Sequence, residues 1–369
     1  MKIPSTIEKN EKNWLSIWKI YSIENLELAY ENAKRNKKHY KQVQEFEKEN
    51  IKQKLIELQQ SLIHQTFKTS EYKIFKIKER GKEREIYSLP FYPDRIVHHA
   101  IVQVLSPIWI KGFIRDTYAS IPKRGIHDAV KRIQKVKSNW KNHYVLKCDV
   151  KKFYPSVNHY ILKNIISRKI KDQKVLNLLF EIIDSESGIP IGNYLSQYFG
   201  NIILSPLDHY IKSQKIKYYY RYCDDFVIIH KSKKFLHNIK IKIQTKLKEL
   251  KLNLKSNHQI FPIHKRGLDF VGYVFYSTHT LIRKSTLQRF KKRIRYKKYN
   301  CITNLIILNS IQSFRGWLKY SDIQNLNNQI IRPKLQNVRL YFCRLRKQLS
   351  RDCYSSLWIP NSNQYSKTR

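Results

Sequence analysis

The sequence predicts an α+β fold, and three observations carry that prediction. Apolar residues recur at three- and four-residue steps over long stretches, which is the period of a helix. Short runs rich in β-branched and aromatic residues, among them YVLKCDV, YYYRY, DFVIIH and LDFVGYVFY, interrupt those stretches and read as strands. The C-terminal third returns to helical spacing and is strongly basic.

In chain order, Leu26, Leu28, Ala29 and Ala33, then Val43, Phe46, Ile51, Leu55, Leu58 and Leu62, predict two helices between residues 23 and 65. Tyr72, Ile74, Phe75 and Ile77 face Ile86 and Tyr87 across the polar KERGKERE, a hairpin with Gly81 in its turn and a charged tip. Pro93 sits where a helix can begin, and Ile96, Ile101, Val102 and Leu105 continue it. YVLKCDV is a strand ending near Asp149, and helical spacing resumes at Ile161, Leu162, Ile165 and Ile166 and again over residues 176–183. GIPIG breaks the pattern before a long helix over residues 194–211. Residues 217–221 and 226–230 then read as two strands pivoting on Cys223, Asp224 and Asp225. A basic amphipathic helix follows over 235–250, a second hairpin over 268–276, basic helices over 283–348 and a polar tail from residue 354. There is no internal repeat.

With 41% hydrophobic residues, the 369-residue chain can bury a sizeable core. Its 72 Lys and Arg against 28 Asp and Glu give a formal charge of +44, which favours a polyanionic partner. The same numbers also describe a merely basic surface in a Lys-rich chain. The five cysteines show no close pairing, which argues against a zinc knuckle or a disulfide framework and for a reducing cytoplasm. The N-terminus has no apolar core of signal-peptide length, and no run approaches the roughly 18 apolar residues of a membrane span, so no membrane partner is expected.

Two adjacent aspartates in a tight turn between apolar strands cannot both be buried and ionised without a cation, since each raises the pKa of the other. An exposed Asx turn would explain one Asp more readily than two. Metal-assisted phosphoryl chemistry would need a third carboxylate from a separate element. Asp149, at the end of its own apolar strand, is the candidate, although alone it would read equally as a helix N-cap.

In order, VLKCDVKKFYPSV, GIPIGNYLSQYFGNIILSPLDHYI and YRYCDDFVIIH resemble the polymerase motifs of reverse transcriptases, the third matching the family's Tyr-X-Asp-Asp box. YASIPKRGIHDAV, DRIVH and LDFVGYVF resemble further segments of the family, so the resemblance runs over roughly residues 70–280. It implies a right-hand polymerase with fingers, a palm whose antiparallel sheet packs on helices, and a helical thumb. The implied division is a helical extension over 1–68, fingers over 69–140, palm over 141–280, thumb over 281–350 and a polar tail over 351–369.

Carried over position by position, Asp149, Asp224 and Asp225 would be catalytic and, with the carbonyl of Val150, would hold two Mg²⁺ ions, with Mn²⁺ as the alternative. Tyr154 falls where the family places an aromatic gate against a ribose 2′-hydroxyl, though it also reads as a core tyrosine. Arg84 and Lys82 lie on the hairpin the family uses for the triphosphate, where a guanidinium binds phosphate bidentately. Gly192 is the close-approach position for the nucleotide. Tyr222, Cys223, Gly272 and Tyr273 fall at the primer and template, and Lys255 is a candidate proton donor to the leaving pyrophosphate. The implied partners are an RNA template, a DNA product, dNTPs and a small accessory protein.

Where many members of the family carry Gln-Gly and Ser-Pro, this chain has Ile191-Gly192 and Ser196-Gln197. That variant resembles the enzymes of diversity-generating retroelements and of antiviral defence systems, whose templates are dedicated noncoding RNAs. An RNA-binding, maturase-like splicing factor is the other reading.

Overall fold

Alternation along three runs builds the central sheet. Leu146, Cys148, Tyr219, Phe226 and Ile228 are buried toward helices on one face, while Val145, Val227, Ile229 and Tyr220 are buried on the other. The rings of Tyr218 and Tyr220 meet Trp140 on that second face, at centroid distances of 5.5 and 6.3 Å. The computed structural model describes residues 18–79, 81–295, 301–322 and 326–348, in two units, 1–266 and 267–369. The expected polar tail over 351–369 lies outside the described residues.

The first unit opens with helices α1 (Ile23–Lys34), α2 (Lys41–Phe46) and α3 (Ile51–Ile63). The spacing predicts two helices here and the chain makes three. Asn36 takes a left-handed φ of +61° after α1, and the side chain of Asn50 caps a new start by accepting from Gln53 N. Strands β1 (Lys73–Glu79) and β2 (Lys82–Ser88) form the expected hairpin, with Gly81 at φ +79°. The next helix begins later than its proline suggests. Tyr92 is extended within the irregular turn Phe91–Arg95, so α4 runs over Ile96–Lys111.

The remaining elements are β3 (Thr117–Tyr118), α5 (Ile126–Gln134), β4 (Tyr144–Asp149), α6 (His159–Ser167), α7 (Gln173–Asp184), α8 (Ser196–Ser213), β5 (Tyr218–Tyr222), β6 (Asp225–His230), α9 (Lys233–Glu249), β7 (Gln259–Pro262) and the short α10 (Ile263–Arg266). Five of these strands form one sheet in the order β3-β5-β6-β4-β7, antiparallel except for the β3/β5 pair. Leu204 and Leu207 of α8 and Ile239 and Ile243 of α9 belong to the same buried cluster as the helix-side residues of the sheet.

In the second unit, β8 (Leu268–Phe270), β9 (Tyr273–Phe275) and β10 (Thr280–Ile282) make a three-stranded sheet followed by α11 (Lys284–Arg293), α12 (Cys301–Leu318) and α13 (Arg332–Gln348). The hairpin read as the end of the 141–280 segment thus groups with the helices that follow it. Cys148, Cys223 and Cys343 are free thiols among the described residues, and no described helix is long and apolar enough to cross a membrane.

Candidate active site

Strand register brings the carboxylates together. Asp149, last in β4, and Asp225, first in β6, are direct cross-strand partners, and Asp225 also pairs with Tyr222 at the end of β5. Cys223 and Asp224 are therefore the whole of a two-residue hairpin loop. Asp225 belongs to the strand, not to the turn as the sequence suggests. Cys223 has φ +53°, the positive φ that tight hairpins require at their first loop position.

Asp224 lies against Asp149. Burial, then the charge of Asp149 and a hydrogen bond between the two carboxyls, push its pKa up to about 7. Lys255 Nζ donates to Asp149 Oδ2 at 2.9 Å, a bond that raises the pKa of the lysine, and Lys147 Nζ stands 3.6 Å from Asp225 Oδ2. Lys255 N and Lys151 N donate to Asp149 O and Asn253 O, flanking the bridge between Val150 and Leu254. In that pattern the carbonyl of Val150 faces away from Leu254, toward the side of β4 that carries Asp225.

Three carboxylates and a carbonyl are hard oxygen donors, which fit Mg²⁺ or Mn²⁺. Among the described residues no three His, Cys, Asp or Glu side chains form a ready cation cage. The two lysine ammonium groups stand beside Asp149 and Asp225 instead.

The protonation of Asp224 has a signed consequence. An unfolded Asp titrates near 3.9, so the folded state holds this proton more tightly. The contribution is full below about pH 4 and is lost as pH rises through about 7. In chelator, the wild type is expected to lose melting temperature between pH 5 and 8, and Asp224→Asn to lose less. Equal slopes in the two proteins would contradict this arrangement.

Tyr154 opens a 3-10 turn after β4, and its side chain is half-buried near Cys223 and Asp224. Burial raises its hydroxyl pKa first, with Cys223 and Asp224 adding and Arg221 and Arg84 opposing. The turn is pinned by Ile189 N donating to Tyr154 O at 2.9 Å. A Cβ on Gly188 would fall 2.7 Å from the carbonyls of both Tyr154 and Pro155, so close approach requires glycine there.

Gly192 also requires a close approach, and its neighbour is the hairpin. At φ +118°, a Cβ there would meet Tyr87 O at 2.4 Å, while Tyr87 N donates to Ile191 O at 2.8 Å. Ser196 Oγ closes the same loop by donating to Pro190 O at 2.7 Å, and Asn193 Nδ2 donates to the Tyr72 hydroxyl at 3.2 Å. Gly192→Ala is expected to lower the melting temperature well beyond Gly81→Ala, where φ is +79° but nothing lies within 4 Å of the added Cβ. Equal losses would contradict the clamp.

Arg84 lies exposed on β2, opposite Ile77 in register. The side chain of Lys82 lies outside the described residues. Tyr222 is half-buried and lines an open groove with Lys123, His127 and Lys131. Gly272 and Tyr273 belong to the second unit. Gly272, at φ +87°, makes room for the ring of Trp317, and Tyr273 is fully buried with its hydroxyl donating to Trp317 O at 3.2 Å. Gly272 and Tyr273 are thus both buried within the second unit.

A polar network lies under the loop, built on residues to which the sequence motifs assign no role. Arg221 and Asp208 are both 0% exposed, with Arg221 Nη2 2.6 Å and Nε 2.8 Å from Asp208 oxygens. The signals were present in the sequence: a charge inside the apolar run YYYRY, and another in the apolar helix FGNIILSPLDHY.

Residues 68–275 match the family model "Reverse transcriptase (RNA-dependent DNA polymerase)". Protein YkfC of Escherichia coli (strain K12) is 25% identical over 260 residues, covering 58% of this chain and 66% of YkfC. Group II intron-encoded protein LtrA of Lactococcus lactis subsp. cremoris is 24% identical over 157 residues, covering 40% of this chain and 26% of LtrA. The match thus spans less than two thirds of either relative. Among solved structures, apo telomerase from Candida tropicalis superposes with a TM-score of 0.51 at 15% identity, covering 77% of this chain and 60% of that one. The complex of Candida tropicalis telomerase with the TWJ fragment of telomeric RNA gives 0.50 at 16% identity, covering 80% and 58%. At these identities the structures show a shared mixed α/β fold.

Proposed function

Since the chain belongs to the reverse transcriptase family, we propose that it copies RNA into DNA at a centre made of Asp149, Asp224 and Asp225. The cross-strand pairing of Asp149 with Asp225, beside the two-residue loop that carries Asp224, supports this reading most directly. The three carboxylates, helped by the Val150 carbonyl, would hold Mg²⁺ or Mn²⁺, which when bound stabilises the attacking and leaving oxygens of an in-line displacement.

The chain's own residues divide the remaining work. Tyr154 lies beside the loop and would exclude a 2′-hydroxyl by its bulk. Arg84 and Lys82, on the 69–140 fingers, would bind the triphosphate, and the Ile191–Gly192 backbone clamped to Tyr87 would hold that hairpin to the palm. Tyr222 and Cys223 would sit at the primer end, and Gly272 and Tyr273, both buried, would act on primer or template only by shaping their own hairpin. Lys255 would give its proton to the leaving pyrophosphate after releasing Asp149. The basic helices of the 281–350 thumb would hold an RNA/DNA duplex by its phosphates.

The Ile191-Gly192 and Ser196-Gln197 variant supports a diversity-generating retroelement or antiviral defence enzyme, using a dedicated noncoding RNA and a small accessory protein in the cytoplasm. The similarity to an intron-encoded protein keeps a maturase-like role as the alternative.

The reading is tested by extending a DNA primer on an RNA template with dNTPs and Mg²⁺. Extension abolished by chelator is expected, together with RNA affinity that falls steeply with salt as counterions are released. A folded wild type that extends no primer with either metal would contradict the reading.

A further inference from the structure

A non-glycine residue at positive φ persists only where its surroundings hold it. Around the loop, Arg221 Nη1 donates to Cys223 O at 2.8 Å and to Asn201 Oδ1 at 3.0 Å. Asn201 Nδ2 in turn donates to Ala119 O at 3.1 Å, and Ala119 itself has φ +83°. The rest of the guanidinium is committed to Asp208, which also accepts from the Tyr219 hydroxyl at 2.6 Å and from Thr117 Oγ1 at 3.0 Å. Cys223 is half-buried and the rest of the network is buried, with Asn201 only 3% exposed.

Buried ion pairs are often no more stabilising than apolar residues of the same shape, so stability alone is a weak reason for this one. Its geometry suggests a different role. Cys223 O belongs to the peptide that begins Asp224, and that oxygen receives the one guanidinium nitrogen not bonded to Asp208. We infer that Arg221 is a positioning residue: Asp208 fixes its plane, and Nη1 sets the Cys223–Asp224 peptide and hence the aim of the Asp224 carboxyl. Asn201 completes the device by tying the same nitrogen to the segment at Ala119. The rate readout below rests on the polymerase reading, whereas the exchange readout does not.

The test compares Arg221→Lys and Asn201→Ala with Thr117→Val and Tyr219→Phe, which touch Asp208 but not the loop. Single-nucleotide addition and amide hydrogen exchange over residues 222–226 are measured on each folded protein. Arg221→Lys and Asn201→Ala are expected to lose at least about tenfold in kcat, the scale of a sub-ångström misplacement, with KM for dNTP within about twofold. Their loop amides should exchange faster than in the wild type. Thr117→Val and Tyr219→Phe should melt lower yet keep kcat and loop protection. Wild-type kcat and loop protection in Asn201→Ala would overturn the inference, and so would equal kcat losses in Thr117→Val or Tyr219→Phe. Asn201→Ala carries the test if Arg221→Lys does not fold. Should the wild type add no nucleotide, the polymerase reading falls and exchange alone decides the positioning role.

Discussion

Replacing any one of Asp149, Asp224 and Asp225 by Asn is expected to cut single-nucleotide addition by at least about 10³-fold, because loss of one preorganised electrostatic group already costs about 10²–10³. Asn keeps the shape of the side chain, so the cross-strand pairing of Asp149 with Asp225 should survive each change. The variants should differ in stability. Asp149→Asn and Asp225→Asn leave Lys255 and Lys147 without the carboxylates they face, whereas Asp224→Asn removes a carboxyl that burial and Asp149 already disfavour. Without metal at pH 8, Asp224→Asn should therefore melt at or above the wild type while being inactive. Melting curves and primer extension on the same preparations check both halves, and an Asp224→Asn protein that melts well below the wild type would contradict the crowding described for this site.

The second large effect is on folding. Asp208→Ala leaves the guanidinium of Arg221 buried without its counter-charge and removes an acceptor from Tyr219 and Thr117. Breaking a fully buried pair by removing one partner costs about 3–5 kcal/mol, a large share of the roughly 5–15 kcal/mol that holds a domain. The urea midpoint of the first unit should fall accordingly. A midpoint within error of the wild type would mean that the network can be dispensed with.

Residue types and spacing made much of this molecule legible in advance. The runs YVLKCDV and DFVIIH are short, apolar and rich in β-branched residues, as strands buried on both faces are, and the place of Asp149 and Asp225 at facing strand ends follows from their pairing. Gly192 was legible as a point of close approach, but not its neighbour, because sequence cannot show that the Tyr87 carbonyl comes from 105 positions away. Tyr273 stands in a motif, yet its ring is committed to packing near Trp317, a tertiary contact that a local pattern does not encode. The split of residues 23–65 into three helices turned on Asn36 and Asn50, two short polar residues whose capping roles a count of apolar spacing passes over. Arg221 and Asp208 carry no local signal of their pairing. Each looks like a lone charge in an apolar run, and only the fold places one against the other.

The most direct measurement of whether the three carboxylates act as one centre is the rate of single-nucleotide addition by Asp149→Asn/Asp224→Asn set against the two single variants. Residues that work as a unit are grossly non-additive, so the double variant should be no slower than the slower single one. A double-variant loss equal to the product of the two single losses, or a single variant that retains wild-type rate, would contradict a shared site.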